Sequence, residues 1–278
     1  MKTPLVYPGG KQSLAPWLSQ FIPKHKSYIE PFAGGLALFF GRPSTRKIME
    51  VVNDSNSMIY NFWKQLKDNP DLEKEIQSTL RIREDFEKCQ DIFRGRKDAT
   101  DLEKARATYV VFTFSLSLNS ETWVTRRHHL QDDTPWAKRQ TNKKRVKKFS
   151  GCNFLSLYEN KAKSIPFIKK RLKDTLVENM DALKLIPKYD WEEAFFYCDP
   201  PYPETNQAHY SGYTMEDFNK LCRLLKTIKG RFMLSCYLRD GMEIDKNWKI
   251  RKKEVICKGT ITLNKAKPKR IETIVMNY

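Results

Sequence analysis

The stretch "AFFYCDPPY" (Ala194 to Tyr202) stops an apolar run at an acid, two prolines and a tyrosine. Phe195, Phe196 and Tyr197 read as a buried strand, because aromatic residues suit a pleated surface and no polar alternation exposes one face. Pro200 and Pro201 remove two backbone donors and fix two φ angles, so the strand must end there. Asp199 and Tyr202 are thereby expected at a sheet edge on a stiff piece of chain. A strand buried on both faces belongs in a sheet covered by helices, which points to an α/β fold.

The first seventy residues repeat that logic. "YPGGKQSLAPWLSQFIP" (Tyr7 to Pro23) reads as a Pro-Gly-Gly turn followed by a helix capped by Ser13, with Leu14, Trp17, Leu18 and Phe21 on one face. "SYIEPFAGGLALFFG" (Ser27 to Gly41) reads as a short strand, an acid-Pro-Phe turn, two glycines and a second helix. A strand at Ile48 to Val52 follows, with Asp54 just past its end and a helix through Trp63. Strand, glycine turn, helix, strand, acid is the order of a nucleotide-binding βαβ unit, and Asp54 lies about twenty residues beyond Gly34 and Gly35, as such a unit requires. "FAGG" is not the G-x-G-x-x-G fingerprint, and glycines at a helix start with an acid in a loop also occur without a ligand.

The middle of the chain changes character. Asp68 to Ala107 is polar and helical, with Leu72, Ile76, Leu80 and Ile82 on one face, and reads as an insertion. Arg106 to Asn119 is uniformly apolar, and its periodicity fits a buried helix or a strand equally. Between Glu121 and Lys173 there are 15 Lys and Arg against 4 Asp and Glu, interleaved with Trp123, Trp136, Phe149, Phe154 and Tyr158. Cations that neutralise phosphates beside rings that stack on bases suit nucleic acid; a solvated basic flap gives the same composition. Further strands are expected at the run ending near Asn179, at Arg231 to Tyr237, and in two closing edge strands, with a helix over Met215 to Lys229.

Composition narrows the function classes. The formal net charge of +18 makes a polyanion the natural partner, although solubility or an anionic surface accounts for the same balance. No apolar stretch approaches the length of a membrane span, and the N-terminus has no signal-type apolar core, so a cytoplasmic location is expected. The six cysteines form no C-x-x-C pair, and the four histidines offer no zinc spacing, so no metal is expected.

Taken in order, "YPGGK", "EPFAGG", "ND", "YCDPPY", "SGYTMEDFNKL" and "IETIVMNY" resemble the Dam-like, D12-class DNA adenine N6-methyltransferases, from Pro4 to Tyr278. The resemblance implies a Rossmann-like methyltransferase sheet formed by residues 1–66 and 174–278, with 67–173 as an inserted, mainly helical, basic target-recognition module. It implies S-adenosylmethionine as cofactor and double-stranded DNA as substrate, and leaves open whether a cognate restriction endonuclease is a companion enzyme. Tyr7, Gly10 and Lys11 match the N-terminal motif that closes over the cofactor. Glu30, Phe32, Ala33, Gly34 and Gly35 match the turn at its methionine end, Asp54 the acid on its ribose, and Asp181 the acid at its adenine. Asp199, Pro200, Pro201 and Tyr202 match the catalytic motif, with Asp199 also beside the cofactor. Candidate DNA contacts are Arg126, Arg127, Lys138, Arg139, Lys143, Lys144 and Lys147.

Two departures qualify the match. Leu36 stands where the family commonly has glycine. "SETWVTRRHHLQDDTPWAKRQTN" replaces the Arg-Tyr-Asn and Asn-Val-Pro-Phe-Gly segments of well-known members, so their GATC preference is not carried over. A catalytically inactive DNA-binding relative, and a methyltransferase acting on RNA adenine or on cytosine N4, are the alternatives.

Overall fold

The computed structural model describes residues 1–43, 48–80, 82–115, 154–203, 212–256 and 269–278; for 154–160 and 256 it describes the backbone alone. Its strands are β1 (Ser27–Glu30), β2 (Met49–Asn53), β3 (Leu176–Glu178), β4 (Ala194–Cys198), β5 (Arg231–Cys236), β6 (Lys249–Ile256) and β7 (Lys269–Met276). They form one sheet in the order β3-β2-β1-β4-β5-β7-β6. The first five run parallel, with Ile29 level with both Val51 and Phe196, and Phe196 level with Phe232. β7 is antiparallel to both β5 and β6. The sheet is Rossmann-like, with its topological switch point between β1 and β4, where open α/β sheets place their ligands.

β4 is buried along its whole length. Because successive side chains point to opposite faces, Phe195 and Tyr197 join one buried cluster while Phe196 and Cys198 join the other. The first cluster takes Phe39 from α2 (Ala37–Gly41) and Phe62 and Trp63 from α3 (Ser57–Asp68). It also takes Leu72 from α4 (Pro70–Ser78), Tyr109 from α6 (Asp101–Phe114) and Ile165 from α7 (Phe154–Leu172). The described helices of the 67–173 stretch thus pack into the main core. On the other face, Leu185 of α8 (Ala182–Lys188) and Phe218 of α9 (Met215–Leu225) cover Phe196 and Phe232.

The ambiguous apolar run is helical as far as Phe114, and 116–119 lie outside the described residues. Thr100 accepts from the Glu103 amide and the Glu103 carboxylate accepts from the Thr100 amide, a capping box that starts α6 ahead of the run. Its uniform apolarity follows from two buried faces: Tyr109 and Phe112 meet the sheet side, while Val110, Val111 and Phe114 pack with Phe86 and Ile92 of α5 (Arg83–Phe93).

Three expectations are corrected. The Leu14–Phe21 helix is shorter: α1 spans Ala15–Leu18, a 3₁₀ turn follows at Ser19–Phe21, and Ser13 does not cap it. Pro16 stands in its first turn, where a missing N–H is tolerated, and the Lys11 carbonyl instead accepts from Leu14 and Ala15. α9 ends at Leu225 rather than Lys229. Of the two closing strands only β6 lies at the edge; β7 sits inside the sheet because Ile274, Val275 and Met276 bury against both faces.

Candidate active site

Three neighbouring parallel strands, β2, β1 and β4, each carry a carboxylate at or just past their carboxyl ends: Asp54, Glu30 and Asp199. Around the first, the chain builds a tight turn. The Ala33 amide donates to the Asn53 carbonyl at 2.8 Å, and the Gly34 amide to Asp54 Oδ2 at 2.8 Å. Trp63 Nε1 donates to the Gly34 carbonyl at 2.9 Å. Gly34 has φ +45°, and a Cβ there would lie 2.8 Å from Tyr7 Cε1; at Gly35 a Cβ would lie 2.7 Å from Tyr7 Cβ. These positions therefore need glycine, and Tyr7 lies directly on them. Leu36 follows at φ 52°, a left-handed conformation held by complete burial of its side chain.

Asp54 Oδ1 also accepts from the Asn56 amide at 2.9 Å. Burial raises its pKa to about 6, against the two amide bonds that favour the charge, and among the described residues no cation neutralises it. Each of its oxygens keeps acceptor capacity for a further donor. Glu30 is pushed up to about 8 by burial, which favours its protonated form, although Tyr28 donates to it at 2.5 Å. Phe32 is half-buried beside this turn and Ala33 is buried.

Asp199 is built differently. Lys11, whose loop is set by a 3.0 Å bond from the Gly10 amide to the Tyr7 carbonyl, reaches it with Nζ at 2.8 Å from Oδ1. The same Nζ lies 3.7 Å from Glu272 of β7 and donates to the Gly9 carbonyl. The Tyr202 hydroxyl lies 2.6 Å from Glu272 Oε1 and 3.2 Å from Asp199 Oδ1. Burial opposes the charge on Lys11, but Asp199 and Glu272 outweigh it and hold the ammonium pKa above its usual value. Burial and then the neighbouring carboxylates push the Tyr202 hydroxyl well up, so it stays protonated. Among these side chains Asp199 reaches outward, at 21 % exposure against 7 % for Lys11 and 3 % for Glu272. Its Oδ2 has no donor among the described residues.

The loop of Tyr7 to Lys11 thus ties the two ends together: Tyr7 covers the glycine turn while Lys11 engages Asp199. A search across protein families matches residues 7–237 to the D12 class N6 adenine-specific DNA methyltransferases. The chain belongs to that family. This adenine-specific DNA methyltransferase is also 27 % identical to the Type II methyltransferase M1.LlaDCHI of Lactococcus lactis subsp. cremoris, over 76 % of its own length and 69 % of that protein's. It is 26 % identical to the Type II methyltransferase M.MjaIII of Methanocaldococcus jannaschii, over 99 % of its own length and 98 % of that protein's.

In this D12-class enzyme the sequence-predicted residues gather as two groups: Tyr7, Gly10, Phe32, Ala33, Gly34, Gly35 and Asp54 at the β1–β2 ends, and Lys11, Asp199 and Tyr202 at β4. Asp181 caps α8, accepting from the Leu183 amide at 2.8 Å. Arg126, Arg127, Lys138, Arg139, Lys143, Lys144 and Lys147 lie outside the described residues. Sequence reasoning missed Glu272, whose signal is an acid two residues ahead of the apolar end of the closing strand, Ile274 to Met276. It also missed Asn53, which donates to the Pro31 carbonyl and accepts from the Met180 amide, joining the ends of three strands. Among the described residues, no helix is long and apolar enough to cross a membrane, and no cluster of side chains could hold a metal ion.

Proposed function

We propose that this methyltransferase uses S-adenosylmethionine as methyl donor, with Asp199, Pro200, Pro201 and Tyr202 as its catalytic motif, acting on an adenine flipped out of double-stranded DNA. The residues at β1 and β2 fit that cofactor. A glycine turn leaves backbone close to a ligand, and Asp54 is a buried carboxylate with acceptor capacity left for two ribose hydroxyls. Tyr7, Gly10 and Lys11 close over the site, Glu30, Phe32 and Ala33 shape the turn with Gly34 and Gly35, and Asp181 is assigned to the cofactor's adenine. When bound, the cofactor supplies an electrophilic methyl group on a sulfonium.

The chain's own residues do the rest. The exocyclic amine of adenine is a poor nucleophile because its lone pair is delocalised into the ring. Asp199 Oδ2 and the Pro200 carbonyl are two acceptors on a stiff Pro-Pro segment; accepting both amine protons, they favour a pyramidal nitrogen with its lone pair directed at the methyl group. Positive charge developing on N6 is met by the Asp199 carboxylate, which takes the departing proton. Tyr202 stacks on the base, whose amine is free only once it has left the duplex.

The observation that carries this reading is Asp199 itself: fixed at a strand end, partly exposed at 21 %, with one oxygen held by Lys11 and the other without a donor among the described residues. Residues 67–173 are proposed to carry target recognition. Within them Arg126, Arg127, Lys138, Arg139, Lys143, Lys144 and Lys147 are assigned mainly to phosphates, which position the duplex without specifying sequence. A cognate restriction endonuclease sharing the site, and cytoplasmic action on cellular DNA, complete the proposal. The test is methylation of mixed-sequence DNA with labelled S-adenosylmethionine, nucleoside analysis and mapping of modified positions. Wild-type protein should give N6-methyladenine, and Asp199→Ala should lose about a thousandfold or more in rate with DNA binding retained. Comparable turnover in Asp199→Ala would overturn the mechanism.

A further inference from the structure

Glu272 lies far along the chain from the catalytic motif, on β7, yet its carboxylate is buried against that motif. A carboxylate out of water is retained only with strong partners, and Glu272 has two: the Tyr202 hydroxyl at 2.6 Å and the Lys11 ammonium at 3.7 Å. Both partners also reach Asp199 Oδ1, at 3.2 Å and 2.8 Å. The two carboxylates therefore compete for the same donors.

That competition has a chemical consequence. Tyr202 has a single hydroxyl proton, and it lies with the nearer acceptor, Glu272 Oε1. Lys11 carries one positive charge shared between two carboxylates. Were Glu272 neutral in charge or absent, the hydroxyl proton would turn to Asp199 and the lysine charge would settle there alone. Each change draws electron density from the carboxylate that must accept the adenine amine. The Glu272 bond also holds the Tyr202 ring, which Tyr237 meets edge-on at 4.6 Å.

We propose that Glu272 is a positioning residue for methyl transfer: it takes up the Tyr202 hydroxyl and part of the Lys11 charge, so that Asp199 remains a strong acceptor for the adenine amine. The inference rests on the assignment of Asp199 as that acceptor.

The test is a double-mutant cycle of Glu272→Gln and Tyr202→Phe, read as single-turnover methylation rates on DNA alongside binding constants for S-adenosylmethionine and for DNA. In the wild-type background Glu272→Gln should slow the methyl-transfer step about tenfold or more while both binding constants change by about threefold or less. In the Tyr202→Phe background, where no hydroxyl needs to be held, the same substitution should cost about threefold or less. Glu272→Asp, which keeps the charge, should recover part of the rate. No loss in Glu272→Gln, or the same loss in both backgrounds, overturns the proposal, because a residue that only supports the fold would be insensitive to the Tyr202 hydroxyl. If Glu272→Gln fails to fold, Glu272→Asp is carried through the same two backgrounds, and the ratio of its losses decides. Substantial activity in Asp199→Ala, measured in parallel, would instead remove the acceptor assignment beneath the proposal.

Discussion

Asp54 and Asp199 both stand just past the end of a buried parallel strand, yet their surroundings are opposite in kind. Asp54 is fixed by two backbone amides, with no cation beside it among the described residues, and burial raises its pKa to about 6. Asp199 has the Lys11 ammonium 2.8 Å away and remains partly exposed. A buried carboxylate without a counter-charge suits neutral hydroxyl donors that complete its hydrogen bonds. One with an oxygen facing outward suits a substrate group on which positive charge develops. Position in the fold alone does not separate these roles; the partners do.

The widest separation between the two ends is expected from loss of each acid in turn. Asp199→Ala should remove the chemical step with binding retained. Asp54→Asn should weaken S-adenosylmethionine binding by about tenfold to a hundredfold, because an amide in place of Oδ2 or Oδ1 presents a donor to a backbone N–H or to a hydroxyl. The titration of Asp54 sharpens this further. Ribose hydroxyls favour its charged form, so protonation competes with binding. The wild-type dissociation constant should therefore rise as pH falls below about 6, approaching a tenfold change per pH unit, while Asp54→Asn shows no such limb. Calorimetric binding between pH 5 and 8 would measure it. A flat wild-type profile would break the assignment of Asp54 to the ribose.

The turn between these acids is tested by Gly34→Ala. The new methyl group would meet Tyr7 Cε1 at 2.8 Å on a backbone at φ +45°, so both clash and strain oppose it. A loss of about 1–3 kcal/mol in unfolding free energy is expected by urea titration. The loss should be smaller in a Tyr7→Ala background, which removes the clash and leaves the strain. Equal losses would mean that Tyr7 does not bear on the turn.

Much of this architecture was legible because its signals are local. The Pro-Pro stop after Cys198 and the Gly34–Gly35 turn each lie next to the strand they end, and both strands stand where expected. The uniform apolarity of α6 was ambiguous because two different clusters bury its two sides, and only the Thr100–Glu103 cap, ahead of the run, settles its type. β7 was misread as an edge because alternation is judged one strand at a time, whereas its place depends on β6 pairing outside it. Glu272 was missed for the same reason: its meaning resides in Lys11 and Tyr202, brought to it only by the sheet.

Glu30 lies between the two acids, at the end of β1, and carries the smallest expected effect. Burial lifts its pKa from the ordinary 4.5 to about 8, with the Tyr28 hydroxyl and Arg42 acting in the opposite direction. A folded-state pKa above the unfolded one means that the folded chain binds the proton more tightly. Its contribution to stability is then full below about pH 4.5 and is lost progressively as pH rises to about 8. Glu30→Gln cannot ionise and escapes that loss, while giving up part of a well-fitted hydrogen bond. The variant should therefore be less stable than wild type at pH 4 and gain on it steadily towards pH 8. Urea denaturation midpoints across that range would check it. A constant difference at every pH would show that Glu30 ionises alike in both states.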